Sequence, residues 1–386
     1  MERKKTILGI DAMNIRDGGG LTHLREILLH VTIDTINFDK VIVWGNEYCL
    51  QQLPDQPWLT KINPILGKTS GFHTTYWQIF CLGKAARELK CNLLFIAGGS
   101  AITSFQPKVT ICHNMLPFTD TALQLYPTGI RKLKFFILRY IQLFTFRRAV
   151  GVIFVSDWAR DILLPKISKN VDQCEVISHG ISSSFNFPDR VHRSIESCSL
   201  NNPFTILYVS RIESYKNQLE VIEAFHQILI QTKWPIRLQL VGSASDKNYE
   251  QLVKAKIRTH DPDGNFIVYV GAVPYENLDI YYHNADIAVF ASSCENNAIT
   301  LLEKMAAGLP VICNDVPPMS DFLIDAGVYV DFLNSVELIS ALKKFIENVD
   351  DRIRYSTIAL NYSQKYTWSS ASKKTFKYLH DNLARK

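Results

Sequence analysis

Apolar runs of four to seven residues recur along almost the whole chain, each followed by a segment of helical period. That alternation admits few folds besides a parallel sheet covered by helices on both faces. The runs ILGID (7–11), KVIVW (40–44), NLLFIA (92–97), KVTIC (108–112), GVIFVS (151–156) and CEVIS (174–178) read as strands, with helices expected near 20–31, 74–90, 130–149 and 157–164. Residues 180–203 are rich in Ser, Asn and Pro and hold no sustained period, so a domain boundary is expected there. A second series follows: FTILYVS (204–210), IRLQLVG (236–242), FIVYVG (266–271), DIAVFAS (286–292), PVIC (310–313) and VYVDF (328–332). The expectation is an α/β chain of two Rossmann-like, doubly wound domains, 1–190 and 200–365, facing across a cleft. The segment 366–386 is expected to form a helix that packs back on the first domain.

Composition narrows the functional classes. Among 386 residues, 47% hydrophobic and 20% charged, eight cysteines are scattered without a C-x-x-C pair or a local Cys/His cluster, which argues for reduced thiols and against a structural zinc. The apolar stretch after MERKK is short for a signal-peptide core, and no run of about twenty uncharged apolar residues exists. A cytoplasmic protein without a transmembrane helix is expected. Through Phe187 there are 21 Lys and Arg against 14 Asp and Glu, whereas the remainder has 21 against 23. A basic front half points to an anionic partner, phosphate or lipid, or to a solvated basic surface. No nucleic-acid partner is expected.

In doubly wound sheets, ligands bind beyond the carboxyl ends of the strands. After the first strand, DAMNIRDGGGLTHL places Gly18, Gly19 and Gly20 before a helix, where glycine lets backbone approach a ligand and leaves helix N–H groups for an anion. The spacing is not G-x-G-x-x-G, so a dinucleotide fingerprint is not supported; the plain alternative is a connecting loop. His113 follows KVTIC, where an imidazole can serve hydroxyl or phosphate oxygens or simply bond locally. In VSRIESYKNQLEVIEAF, Arg211 follows a strand and Lys216 opens a helix, a pattern suited to a diphosphate clamp or to an ordinary surface. ENNAITLLE places Glu295 in a strand-to-helix loop, with Asn296 or Asn297 as N-cap and a helix from Ala298 to Ala307 stopped by Gly308 and Pro310. Were the whole stretch helical, Glu295 and Glu303 would face broadly the same side. They read either as two carboxylates of one site or as a solvated helix face.

In order and spacing, the R-x4-K of SRIESYK, then VGAVPYENLDIYYHNADIAVFAS, then the E-x7-E of ENNAITLLE, then KMAAGLPVICND resemble the second domain of retaining GT-B glycosyltransferases of family 4, the group 1 glycosyltransferases. The resemblance is nearly full length and strongest from Tyr208 to Tyr329. It implies that Arg211 and Lys216 hold the donor's diphosphate, that Glu303 binds the nucleotide ribose, and that Glu295 contacts the transferred sugar, with Asn296, Asn297, Ala298, Ile299 and Thr300 forming the donor loop. It further implies that His113 faces the donor sugar, that Gly18, Gly19 and Gly20 lie near donor phosphate and acceptor, that Ser210 approaches the phosphates, and that Gly271 belongs to the segment packed on the base.

This chain departs from the family's commonest E-G-F-G-L-P at Asn296, Asn297, Ala298 and Thr300. The E-N form resembles the branch of bacterial polysaccharide and O-antigen transferases, many of which use GDP-mannose. The implied activity is metal-independent transfer of a hexose from a nucleotide diphosphate sugar to a glycan or lipid-linked saccharide acceptor, without a cofactor. The competing readings are a nucleotide-sugar epimerase of the same architecture and a non-catalytic sugar-nucleotide-binding protein. Acceptor recognition is expected in the loops 67–77 and 119–129.

One segment stands outside the donor motifs. IRKLKFFILRYIQLFTFRRAV (130–150) carries six basic and no acidic residues, with Ile130, Leu133, Ile137, Tyr140, Ile141 and Phe144 sharing one helical face. Such a helix lies in an anionic membrane interface or is buried between the sheet and a neighbour.

Overall fold

The computed structural model describes residues 5–16, 18–65, 71–124 and 129–385. Residues 67–70 and 125–128, parts of the two expected acceptor loops, lie outside the described residues. The chain divides into two compact units, one of Met1–Asp120, Pro127–Gly180 and Tyr366–Lys386, the other of Thr121–Tyr126 and Ile181–Lys365.

The strands of the first unit are β1 (Ile7–Asp11), β2 (Lys40–Trp44), β3 (Leu59–Ile62), β4 (Leu93–Ile96), β5 (Lys108–Cys112), β6 (Gly151–Phe154) and β7 (Cys174–Val176). Among the described residues they form one parallel sheet of order β3-β2-β1-β4-β5-β6-β7. The runs β4, β5 and β6 are buried along their whole length, as expected of strands covered on both faces. The strand missing from the sequence reading is β3, whose LTKI is short, half-buried and at the sheet's edge. The helical stretch expected at 74–90 is two helices, Gly71–Phe80 and Leu82–Glu88.

The second unit contains β8 (Phe204–Val209), β9 (Ile236–Val241), β10 (Ile267–Gly271), β11 (Ile287–Phe290), β12 (Val311–Asn314) and β13 (Gly327–Val330). Its sheet is also parallel, in the order β10-β9-β8-β11-β12-β13. In each sheet, successive strands run outward one way and then the other. The reversal falls between β1 and β4 in the first sheet and between β8 and β11 in the second, and crevices form at such switch points.

Two attachments define the limits of the units. The helix Trp368–Asp381 returns to the first unit, where Ser372 Oγ donates to the Ile27 carbonyl at 2.6 Å. Gly180 faces Trp368 so closely that an added Cβ would sit 2.1 Å from its backbone nitrogen. The segment after Gly180, which the sequence reading assigns to the first domain as far as residue 190, is bound into the second unit. Arg190 donates to the carbonyls of Ala307 (2.7 Å) and Ala285 (2.6 Å), and Arg193 grips the Asp286 carboxylate through Nε (3.0 Å) and Nη2 (2.5 Å).

The helix Ile130–Arg148 is amphipathic in an unusual sense. Its buried face carries Gln142, Thr145 and Phe146, and the Thr145 hydroxyl lies 3.1 Å from the Ala101 amide nitrogen. Ile130, Leu133, Phe136, Ile137, Tyr140 and Phe144 are exposed instead. The expected apolar face is therefore not packed on the sheet, except that Ile141 is half-buried. No helix among the described residues is long and apolar enough to cross a membrane.

Asp11, at the carboxyl end of β1, accepts from Gln78 Nε2 at 2.6 Å and from the Met13 amide at 3.2 Å. Burial nevertheless pushes its carboxyl up to about 6 from 3.8. A proton retained in the fold and lost in the unfolded chain favours folding fully below about pH 4, and the benefit disappears as pH rises through 6. Urea unfolding of the first unit should show wild-type stability falling relative to Asp11→Asn by up to about 3 kcal/mol across this window. Parallel pH profiles would mean that Asp11 is not the group responsible.

Candidate active site

The second unit builds its site from the loops that leave β8 and β11, the two strands at the switch point. After Val209 come Ser210, which is buried, and Arg211, which is half-buried. Gln218 Nε2 donates to Ser210 Oγ at 3.0 Å and to the Arg211 carbonyl at 2.8 Å, fixing the turn. The neighbouring loop presses close: Gly242, at φ +148°, leaves no room for a side chain, since a Cβ would come 2.0 Å from the Ser210 carbonyl oxygen.

A short helical turn, Ser214–Lys216, then delivers Lys216 into the protein, where it forms an ion pair with Glu295 from the β11 loop. Burial by itself lowers the Lys216 pKa, but the facing Glu295 carboxylate, with the Tyr208 hydroxyl, makes the net shift upward. Lys216 is therefore charged at neutral pH. Asn217 is in the left-handed region at φ 51° and crosses between the loops, donating to the Ala291 carbonyl and to Ser293 Oγ at 2.7 Å each. The Ser293 amide donates to the Tyr215 carbonyl at 2.7 Å, and Asn314 at the end of β12 donates to the Ser292 carbonyl at 3.2 Å.

The helix after the β11 loop spans Ile299–Ala306, and its N-cap is Ala298 rather than Asn296 or Asn297. No side chain caps it: the Asn297 carbonyl accepts from the Ile299 amide at 3.0 Å, and the Ala298 carbonyl accepts from Leu301 at 2.8 Å. The stretch is thus not helical from Glu295, and the two glutamates reach different surroundings. Glu295 meets Lys216, while Glu303 is buried and accepts from the Tyr282 hydroxyl at 2.7 Å. Burial raises the Glu303 pKa against that hydrogen bond, and its Oε1 is buried without a well-formed hydrogen bond. Beside it, Lys304 is fully buried, donates to the carbonyls of Val209 (3.2 Å) and Thr300 (3.1 Å), and is pushed by burial down to about 7. Asn296 and Ala298 are buried, whereas Asn297, Ile299 and Thr300 are half-buried. Gly271 ends β10 at φ +82° with open space where a side chain would project.

In the first unit, Gly18 at φ 68° precedes the helix Gly19–His30, which has no side-chain cap, and nothing lies within 4 Å of a Cβ built on Gly20. His113 follows β5, both its ring nitrogens are buried without hydrogen-bond partners among the described residues, and burial lowers its pKa to about 4, so the imidazole is neutral at pH 7. Around it are His23, with ring centroids 4.8 Å apart, and His179, stacked at 5.4 Å. His23 Nδ1 and His179 Nδ1 share a hydrogen bond of 2.9 Å. Sequence reasoning missed His23, His179 and Lys304. His179 had the same signal as His113, a histidine just past a strand; His23 and Lys304 stand inside helices and had none. Among the described residues, no group of three or more His, Cys, Asp or Glu side chains is placed to hold a metal ion.

Residues 194–361 match the model of the family described as glycosyl transferases group 1. The match lies within the second unit and covers most of it. Among curated relatives, the O-antigen chain mannosyltransferase B of Escherichia coli is 24% identical over 58% of this chain and 58% of its own length. The alpha-monoglucosyldiacylglycerol synthase of Streptococcus pneumoniae is 28% identical over 45% of this chain and 40% of its own. The chain thus spans about half the length of the curated relatives it matches. Among solved structures, Anabaena Alr3699/HepE in complex with UDP superimposes with a TM-score of 0.67 at 17% identity, over 97% of this chain and 100% of that one. That likeness shows the fold, the two-Rossmann-domain GT-B class.

The Lys216–Glu295 pair is the testable element of this site. In a double-mutant cycle of Lys216→Met and Glu295→Gln, unfolding free energies should depart from additivity by about 1–3 kcal/mol. Additive effects would mean that the two side chains do not depend on each other.

Proposed function

We propose that the protein is a retaining glycosyltransferase that moves a hexose from a nucleoside diphosphate sugar to a saccharide acceptor in cell-surface polysaccharide or glycolipid synthesis. The observation that carries this reading is Lys216, buried and charged against Glu295 on the loop that also carries Arg211, at the switch point of a unit that matches the group 1 model. A buried ammonium, a guanidinium and an uncapped helix start together suit a diphosphate. The UDP bound to a protein of like fold agrees with a nucleotide donor, and the names of the two curated relatives agree with a mannosyl or glucosyl group and a polysaccharide or lipid acceptor.

In the proposed reaction, the bond between the anomeric carbon and the diphosphate oxygen breaks while Arg211, Lys216 and the Ile299–Ala306 helix start stabilise the charge left on the phosphate. The acceptor oxygen bonds to the same face of the anomeric carbon, and its proton passes to the departing phosphate oxygen. This assignment needs no divalent ion. Glu295 accepts from sugar hydroxyls, and the Glu303 carboxylate accepts from the ribose. If so, wild type should bind UDP or GDP more tightly than the 2′-deoxy form, and Glu303→Ala should abolish that preference while weakening binding about tenfold. A preference that survives in Glu303→Ala would remove the ribose role.

The outward apolar face of the helix Ile130–Arg148, flanked by Lys132, Lys134, Arg139, Arg147 and Arg148, supports peripheral attachment to an anionic lipid bilayer. Phosphatidylglycerol vesicles should float the protein at low salt, and Ile137→Glu with Tyr140→Glu should leave most of it behind. Flotation unchanged by the double substitution would exclude this helix as the contact.

A further inference from the structure

The first unit holds a cavity lined by none of the donor-motif residues. The cavity, of about 370 Å³, opens at the carboxyl ends of β1, β4 and β5, beside the β1/β4 switch point, within the usual size range of small-molecule sites. Its polar lining includes Asn14 from the β1 loop, Ser100 from the β4 loop, Asn114 after β5, Gln78 from the helix Gly71–Phe80 and Gln142 from the helix Ile130–Arg148. None of the described lining residues is charged.

The amides are held in place from behind. Asn14 Nδ2 donates to the Ser100 carbonyl at 2.8 Å, and Gln78 Nε2 donates to Asp11 at 2.6 Å, which leaves Gln78 Oε1 with only a long 3.4 Å contact from Asn14. Gln142 is 3% exposed, and its Oε1 is buried with no hydrogen-bond partner among the described residues. A buried amide oxygen left unpaired costs free energy unless a ligand or water completes it, and here it belongs to a cavity-lining residue.

We propose that this cavity binds the hydroxyl face of an uncharged saccharide, with Gln142 as a specificity-determining residue. Carboxamides offer donors and acceptors side by side, as vicinal sugar hydroxyls do, whereas a phosphate calls for cations, which the described lining lacks, and the amide nitrogens of Asn14 and Gln78 are already engaged. Asp11, directly behind Gln78, further disfavours an anion. That the bound sugar is the transfer acceptor rests on the function proposed above; the cavity's preference for a neutral sugar does not.

Saturation-transfer NMR with methyl α-mannoside, methyl α-glucoside, methyl α-galactoside and methyl N-acetylglucosaminide tests this, with mannose 6-phosphate as the charged control. At least one neutral glycoside should receive saturation more strongly than mannose 6-phosphate. The signal should fall by roughly fivefold or more in Gln142→Ala, which removes the hydrogen bond, and in Ile102→Trp, which fills the cavity from its rim. Thermal stabilisation by UDP or GDP, read on the same samples, should be unchanged in both variants. No signal from any neutral glycoside, a stronger signal from mannose 6-phosphate, or signals that persist in both variants would overturn the proposal. Absence of nucleotide stabilisation in the wild type would instead sink the glycosyltransferase reading and leave the cavity's sugar preference standing.

Discussion

The ion pair between Lys216 and Glu295 ties together the two loops on which the proposed donor site depends. Each residue comes from a different side of the β8/β11 reversal, so the pair spans the crevice that the sheet order creates. Burying two charges is costly unless other contacts hold the geometry. Asn217 supplies such contacts: its left-handed backbone turns the chain out of the Lys216 turn, and its amide grips the β11 loop at two points. The free protein thus holds a buried cation without leaving it unpaired.

Behind this pair lies a second layer with the opposite tendency. Glu303 and Lys304 are both buried, and burial drives each toward its neutral form, upward for the acid and downward for the base. Lys304 donates to the carbonyl at the end of β8 and to Thr300 on its own helix, so the helix start is held against the strand by hydrogen bonds. Burial thus works against charge in the supporting layer, whereas at the front the facing Glu295 carboxylate favours charge on Lys216.

Much of the fold was legible because buried parallel strands leave continuous apolar runs. Except for LTKI, whose edge position leaves it half-buried and without a contrasting pattern, the strands could be read from the sequence. Arg211, Lys216, Glu295 and Glu303 could be picked out by their places after strands and by their spacing. What the sequence did not disclose is what each side chain touches. Glu295 and Glu303 look alike at eight residues' separation, yet a non-helical loop before Ile299 sends one to a lysine and the other beneath a tyrosine. Arg190 and Arg193 likewise gave no sign that they anchor a Ser- and Asn-rich segment to the second unit, because their partners are mostly carbonyl groups, more than 80 residues away for Arg190. In the helix Ile130–Arg148, apolar periodicity identified a face correctly but could not say that the sheet would take the opposite one.

Trp368 fits against Gly180 with no space for even a methyl group, and its helix completes a unit whose other strands and helices were all encoded before residue 181. Synthesis from the N-terminus delivers the stretch 181–365, nearly the whole second unit, before Trp368 leaves the ribosome. Of these two units, the one begun earlier is therefore the one completed later, and until then the surface beside Gly180 waits open for a helix not yet translated.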